Sequence, residues 1–166
     1  MAVGTKRILG IDPGSHHMGI CCLEKNGQKL RLIFCEIIHA PKKEKLYDRL
    51  SVIADRFHAI LADLKPDEVA VEDIFFAKNV RSAIFLGTAR GMAIGACLRQ
   101  GLRIHEYAAT QVKSVVTGYG RSDKEHVQKM VEMILGTKID LGFDATDAAA
   151  IAICHANHLD RRVPTA

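Results

Sequence analysis

The opening third of the chain leaves few ways to fold. Three apolar, β-prone runs, Lys6–Asp12 (KRILGID), His16–Glu24 (HHMGICCLE) and Lys29–Ile38 (KLRLIFCEII), are separated by Pro13-Gly14 and by Asn26-Gly27. Proline presets φ for a turn, glycine accepts positive φ, and Asn-Gly between two strand-like runs is a strong hairpin signal. The spacing therefore predicts an antiparallel three-strand meander. The period then changes. Leu46, Leu50, Ile53, Phe57, Ile60, Leu61 and Leu64 recur at steps of three and four, which predicts an amphipathic helix over Lys43–Leu64 that stops before Pro66. Asp67–Glu72 (DEVAVE) reads as a short strand, Arg81–Gln100 as a second long helix and Leu102–Tyr107 as a fifth strand. Ala108–Val116, Ser122–Leu135 and Asp144–Leu159 read as three more helices. Strands that alternate with helices pair in parallel and are covered by those helices. The expected architecture is α/β, a five-stranded mixed sheet with helices on both faces.

At 166 residues, with 48% hydrophobic and 25% charged side chains, the chain is expected to form one domain around a full core, with a short polar tail from about 160. That mix excludes a disordered chain and a disulfide-stapled miniprotein. Five cysteines, two of them the adjacent Cys21 and Cys22, form no even framework, so free thiols and a reducing compartment are expected. Met1 to Arg7 lack the apolar run of a signal peptide, and no stretch is long and apolar enough to span a membrane. A cytoplasmic protein is the expectation.

Four acids stand in unusual places. Asp12 ends the apolar strand ILGID, and Glu72 ends EVAVE on the face of Ala70, opposite Val69 and Val71. Asp144 and Asp147, in DATDAAAIAIC, share one helix face at i and i+3. Each has an ordinary explanation alone: a turn residue, a strand-end charge, an N-cap, a first-turn acid favoured by the helix dipole. Together they suit one cluster at a sheet edge, where like charges repel unless a cation joins them. An oxygen-only ligand set fits Mg²⁺ or Mn²⁺ better than Zn²⁺. Two such cations can support phosphodiester hydrolysis, one activating water and one stabilising the leaving oxygen.

The segments ILGIDPGS, VAVEDIFFAKN, GTARGMAI, YAATQVKSVVTGYGRSDKEHVQKMV and DATDAAAIAI closely resemble the RuvC family of bacterial Holliday-junction resolvases. The resemblance runs from about Arg7 to His158 in the family's order. It implies a ribonuclease H-like fold, a homodimer, and symmetric Mg²⁺-dependent nicking of four-way DNA junctions in recombination and repair. It places Asp12, Glu72, Asp144 and Asp147 on the family's catalytic, metal-binding acids, and all four are present. It also implies cooperation with a branch-migration motor of the RuvA–RuvB type. The short tail departs from members that carry a longer basic extension.

The same resemblance directs attention to residues that would hold DNA. Phe75 aligns with an aromatic that stacks at the junction centre. Phe75 and Phe76 lie beside Lys78 and Arg81, a pattern suited to stacking on unpaired bases next to phosphate contacts. Lys113 and Lys124 align with basic residues near the family's active site, and Arg121 is a further candidate for backbone contact. The net charge is +4; setting the four acids aside raises the surplus to 8, so DNA binding should weaken steeply with salt.

Gly87, Gly91 and Gly95 recur at steps of four in the second long helix. Each costs a helix about 1 kcal/mol relative to alanine. Close packing on the sheet or a two-fold interface between chains would each offset that cost. Two matched cuts call for two matched sites, so a homodimer built on this helix is expected. Cys154, His155 and His158 lack a second ligand pair at zinc spacing and are read as structural. Two other functions compete. GIDPGS also resembles the phosphate loop of actin-like ATPases and sugar kinases, although those proteins carry two such domains. A non-catalytic junction-binding module of the same fold is the second alternative, against which the intact acids argue.

Overall fold

The computed structural model describes residues 4–73 and 80–161. Five strands form one sheet in the order β3-β2-β1-β4-β5. Three of them, β1 (Lys6–Asp12), β2 (His17–Asn26) and β3 (Lys29–His39), form the antiparallel meander, closed at Gly27, whose φ of 57° only glycine adopts without strain. Next, β4 (Glu68–Glu72) pairs with β1 in parallel, and β5 (Ile104–Tyr107) pairs with β4 in parallel. The helices are α1 (Leu46–Leu64), α2 (Val80–Arg99), α3 (Ala109–Thr117), α4 (Lys124–Leu135) and α5 (Phe143–Arg161). The expected order and sheet class are both observed.

Two helix starts differ from the sequence expectation by more than one residue. Helix α1 begins at Leu46 rather than Lys43. The intervening Lys-Glu-Lys run has no apolar side chain to anchor a turn, and the backbone there turns from Pro41 to Glu44 instead. Helix α4 begins at Lys124 because Asp123 is its N-cap, its carboxylate accepting from the His126 amide at 2.7 Å. Ser122 is drawn out of the helix and donates to the Tyr119 carbonyl at 2.9 Å.

Period-two alternation splits the sheet residues between two cores. Leu9, Ile11, Ile20, Val69 and Val71 face α1 and α2, where Ile53, Phe57, Leu61 and Ala93 cover them. Ile8, Cys21, Leu23 and Ala70 face α5, which α3 and α4 flank through Val112, Val116, Val127 and Val131. Helix α5 is alanine-rich because it lies almost on the sheet. A Cβ on Gly10 would overlap the Ala148 carbonyl oxygen and come within 3.0 Å of the Ala152 Cβ, and one on Gly19 would overlap the Asp144 carbonyl oxygen. These two glycines let the start of α5 cross β1 and β2 at backbone contact. No helix among the described residues is long and apolar enough to cross a membrane.

Candidate active site

Parallel pairing of β1 with β4, in register at Ile11 and Val71, brings the ends of both strands to one edge. The next residue on each strand is an acid, Asp12 and Glu72, and both lie on the α5 side of the sheet. Helix α5 begins over that edge. Asp144 stands in its first turn, inside the helix rather than at its cap, since the Thr146 amide bonds the Gly142 carbonyl. Carboxylate oxygens of Asp12, Asp144 and Asp147 all fall within 4.8 Å of one another. Glu72 closes the group, sharing one cleft with Asp12 and Arg90 and an adjoining one with Asp147, Lys113 and Lys124. The four acids expected from the sequence thus converge, from two strands and one helix.

Burial and crowding both act on these groups. The Asp12 carboxyl is pushed up to about 8, first by burial and then by the charges of Asp147, Glu72 and Asp144, with Lys124 acting in the opposite direction. Glu72 is raised too, by burial first and Asp147 second, against Lys113 and Lys124. Desolvation is the largest single cause at both acids, ahead of any one neighbouring carboxylate. The Lys124 ammonium, the first residue of α4, lies 3.2 Å from an Asp147 oxygen and 5.6 Å from the centre of the Phe143 ring. Burial works against its charge, but Asp147, Asp12 and Asp144 outweigh burial and hold its pKa above the ordinary value.

Lys113, half-buried on α3, lines the cleft beside Glu72 and Asp147. Arg121 is exposed in the turn before α4. Arg81 sits in the first turn of α2, its guanidinium 5.4 Å from the Phe85 ring centre. Phe75 and Lys78 lie outside the described residues, as does Phe76. His16 is exposed. Among the described residues, a Cβ on Gly87, Gly91 or Gly95 would meet nothing within 4 Å. Packing on the sheet therefore does not explain them; α2 packs through Ala89, Ala93, Ala96 and Cys97 instead.

Arg90 was not singled out from the sequence. It lines the cleft of about 450 Å³ that holds Asp12 and Glu72. It is ion-paired with Glu106 and its Nε donates to the Glu72 carbonyl at 3.4 Å. A lone arginine among the small and apolar residues of FLGTARGMAIGA was the available signal. An oxygen-only set of three converging carboxylates, whose charges help raise the pKa of Asp12 and would be offset by a cation, fits hard divalent cations.

The family model for crossover junction endodeoxyribonuclease RuvC matches residues 8–155. A crossover junction endodeoxyribonuclease RuvC of Trichlorobacter lovleyi is 44% identical over 157 residues, covering 95% of this chain and 88% of that one. One of Thermosipho melanesiensis is 44% identical over 151 residues, covering 90% and 96%. The structure of T. thermophilus RuvC in complex with Holliday junction substrate superposes with a TM-score of 0.86 at 33% identity, covering 94% of this chain and 96% of that one. The yeast mitochondrial resolvase Ydc2, at 14% identity and a TM-score of 0.63, shares the fold. The mixed sheet with helices on both faces is thus the ribonuclease H-like fold that the resemblance implied, and the chain belongs to the RuvC family of crossover junction endodeoxyribonucleases.

Proposed function

We propose that this protein is a structure-selective endonuclease that resolves Holliday junctions by paired, symmetric hydrolysis of phosphodiesters. The observation that carries the reading is the convergence of Asp12, Asp144 and Asp147, with Glu72 beside them, in a chain of this family. Water adds to phosphorus, the bond to the 3′ oxygen breaks, and that oxygen leaves as a hydroxyl, giving 5′-phosphate and 3′-hydroxyl ends that a ligase can seal.

Asp12, Glu72, Asp144 and Asp147 would hold two Mg²⁺ ions, with Mn²⁺ as a substitute. When bound, the ions would supply Lewis acidity toward the phosphate and lower the pKa of water. The chain's own groups have separate tasks. The acids orient the attacking water and carry its proton. The Lys124 ammonium, held charged beside Asp147, lies where it can neutralise charge building on the phosphate. Lys113 does the same from the Glu72 side. Arg121, Arg81 and Lys78 contact the DNA backbone, and Phe75 stacks on bases at the junction centre.

The working unit is a homodimer across α2. Gly87, Gly91 and Gly95 present an open small-residue stripe, edged by Val80, Ile84 and Leu98, which are 75%, 59% and 56% exposed. Three uncompensated helix glycines and three exposed large apolar side chains on one helix are accounted for together if a second copy packs there. Four-way junction DNA is the partner, supplied in the cytoplasm by a branch-migration motor of the RuvA–RuvB type.

The test is nicking of a synthetic four-way junction beside a linear duplex of the same sequence. Symmetric nicks on the junction alone, present in Mg²⁺ and absent in chelator, are expected. The Asp147→Asn variant should bind the junction with cleavage reduced at least ~100-fold. Junction binding with no cleavage in either Mg²⁺ or Mn²⁺ would retire the catalytic reading.

A further inference from the structure

At the end of the sheet away from the acids, a second group of ligand-bearing side chains meets. Glu68 opens β4, His105 lies on β5, and His155 lies on α5 near its C-terminal end. Glu68 and Glu72 are four residues apart on one strand, which separates the two sites by roughly 13 Å. The acid is shared in an ordered way. Glu68 Oε1 takes the Lys6 ammonium at 2.7 Å, while Oε2 lies 3.0 Å from His105 Nε2 and 3.7 Å from His155 Nε2. The two imidazoles stack with centroids 4.2 Å apart and 25° between planes, and both Nε2 atoms face the same Glu68 oxygen. Ligand atoms from all three residues lie within 4.8 Å of one another.

From this arrangement we infer that Glu68, His105 and His155 form a binding site for a zinc-class divalent cation, separate from the acidic cluster. Two imidazole nitrogens and one carboxylate oxygen are the donor set of three-ligand zinc sites, the fourth position being left to water. The spacing fits. Tetrahedral ligands about 2.0–2.1 Å from Zn²⁺ lie roughly 3.3 Å from each other, and the two distances to Oε2 are 3.0 and 3.7 Å. The supporting partners fit as well. Metal-bound histidines give their other ring N–H to a fixed acceptor, and His155 Nδ1 lies 2.6 Å from the Tyr107 hydroxyl. With Nδ1–H donating to that oxygen, the Nε2 lone pair faces Glu68.

Access is one-sided. His155 is fully buried, while the side chains of His105 and Glu68 are 15% and 14% exposed, so an ion would enter past those two and keep a water on that side. His158, the neighbour on α5, is already committed: its Nδ1 lies 2.9 Å from the Cys154 carbonyl and its Nε2 lies 3.0 Å from the Gln111 amide. The ion would tie β4, β5 and α5 together at the end of the sheet opposite the acids.

The experiment is zinc titration of the full chain in excess Mg²⁺, which occupies the acidic cluster, followed by isothermal calorimetry, metal analysis after gel filtration and the thermal midpoint. One Zn²⁺ per chain and a raised midpoint are expected, with Co²⁺ giving the intense visible bands of a four-coordinate N/O site. Stoichiometric binding should be lost in His105→Gln, weakened roughly 10–100-fold in Tyr107→Phe, and kept in Asp147→Asn. Circular dichroism establishes that each variant is folded, and the Co²⁺ spectrum of the unaltered protein tests the site without any substitution. Three results would overturn the proposal: no zinc retained in Mg²⁺; zinc lost in Asp147→Asn; or zinc kept in His105→Gln and lost in His39→Ala. The last would move the ion to the exposed His17–His39 pair, whose Nδ1 atoms are 2.9 Å apart.

Discussion

The Asp12 carboxyl makes metal-free stability depend on pH in a way that one substitution removes. Its pKa is about 8 in the fold against 3.8 ordinarily. The unfolded chain therefore loses this proton near pH 4, whereas the folded protein keeps it until about 8. Between those values the unfolded state binds fewer protons, so stability falls as pH rises, and it levels off above the folded pKa. At pH 7 the interval is roughly three pH units at 1.36 kcal/mol each, a ceiling of about 4 kcal/mol. Asp12→Asn removes the proton linkage but leaves a buried amide, which costs about 1–3 kcal/mol where its hydrogen bonds are incomplete. The net gain is about 2 kcal/mol, a rise of roughly 4–8 °C in the thermal midpoint for a chain of this size. The assay is paired thermal melts of both proteins in chelator from pH 4 to 9. The Asp12→Asn variant should melt below its parent near pH 4 by the cost of its amide, overtake it between pH 4 and 8, and run parallel above it at a higher midpoint. Added Mg²⁺ should raise the parent and leave the variant unmoved. A variant that melts lower than its parent at pH 8, or a constant difference across the range, would refute the argument that this acid is held neutral by burial and crowding.

Other expectations follow from single contacts. Lys124→Ala removes the ammonium 3.2 Å from Asp147; kcat on the junction should fall about 100-fold with junction affinity changed far less, as single-turnover and gel-shift measurements would read. Gly10→Ala places a methyl against the Ala148 carbonyl, a backbone atom that cannot swing aside; denaturant melts should show a loss of about 3 kcal/mol or more. The Cβ that Gly91→Leu adds meets nothing within 4 Å among the described residues, and the substitution should gain about 1 kcal/mol of helix stability. Light scattering should nevertheless show the particle mass halved, and nicks on the two strands should lose their coupling.

Much of this site was legible in one dimension. Asp12 and Glu72 announce themselves because a charge ending an otherwise apolar strand breaks the period that its neighbours keep. Asp144 and Asp147 do so because i, i+3 acids interrupt an alanine-rich helix. The hairpin at Asn26-Gly27 and the alternation of later strands with helices settle the sheet class through local backbone preference. The glycine stripe on α2 was visible as well, but only the open space around Gly87, Gly91 and Gly95 separates it from ordinary sheet packing.

Local pattern carries no information on distance between elements, and the remaining features depend on that distance. Gly10 and Gly19 read as plain strand glycines; their meaning is that α5 touches the sheet there, which carries Asp144 and Asp147 to Asp12. Arg90 lies at the cleft because α2 passes over the ends of β4 and β5. Glu68, His105 and His155 have no spacing that a motif could encode, being 37 and 50 residues apart in the chain. They become neighbours because parallel pairing aligns β4 with β5 and because α5, flat with alanine, lies close enough to add a third side chain. The residue types and the periods that order them reside in the sequence. Which of those residues come to share one desolvated volume is set by close packing, which only the folded chain provides.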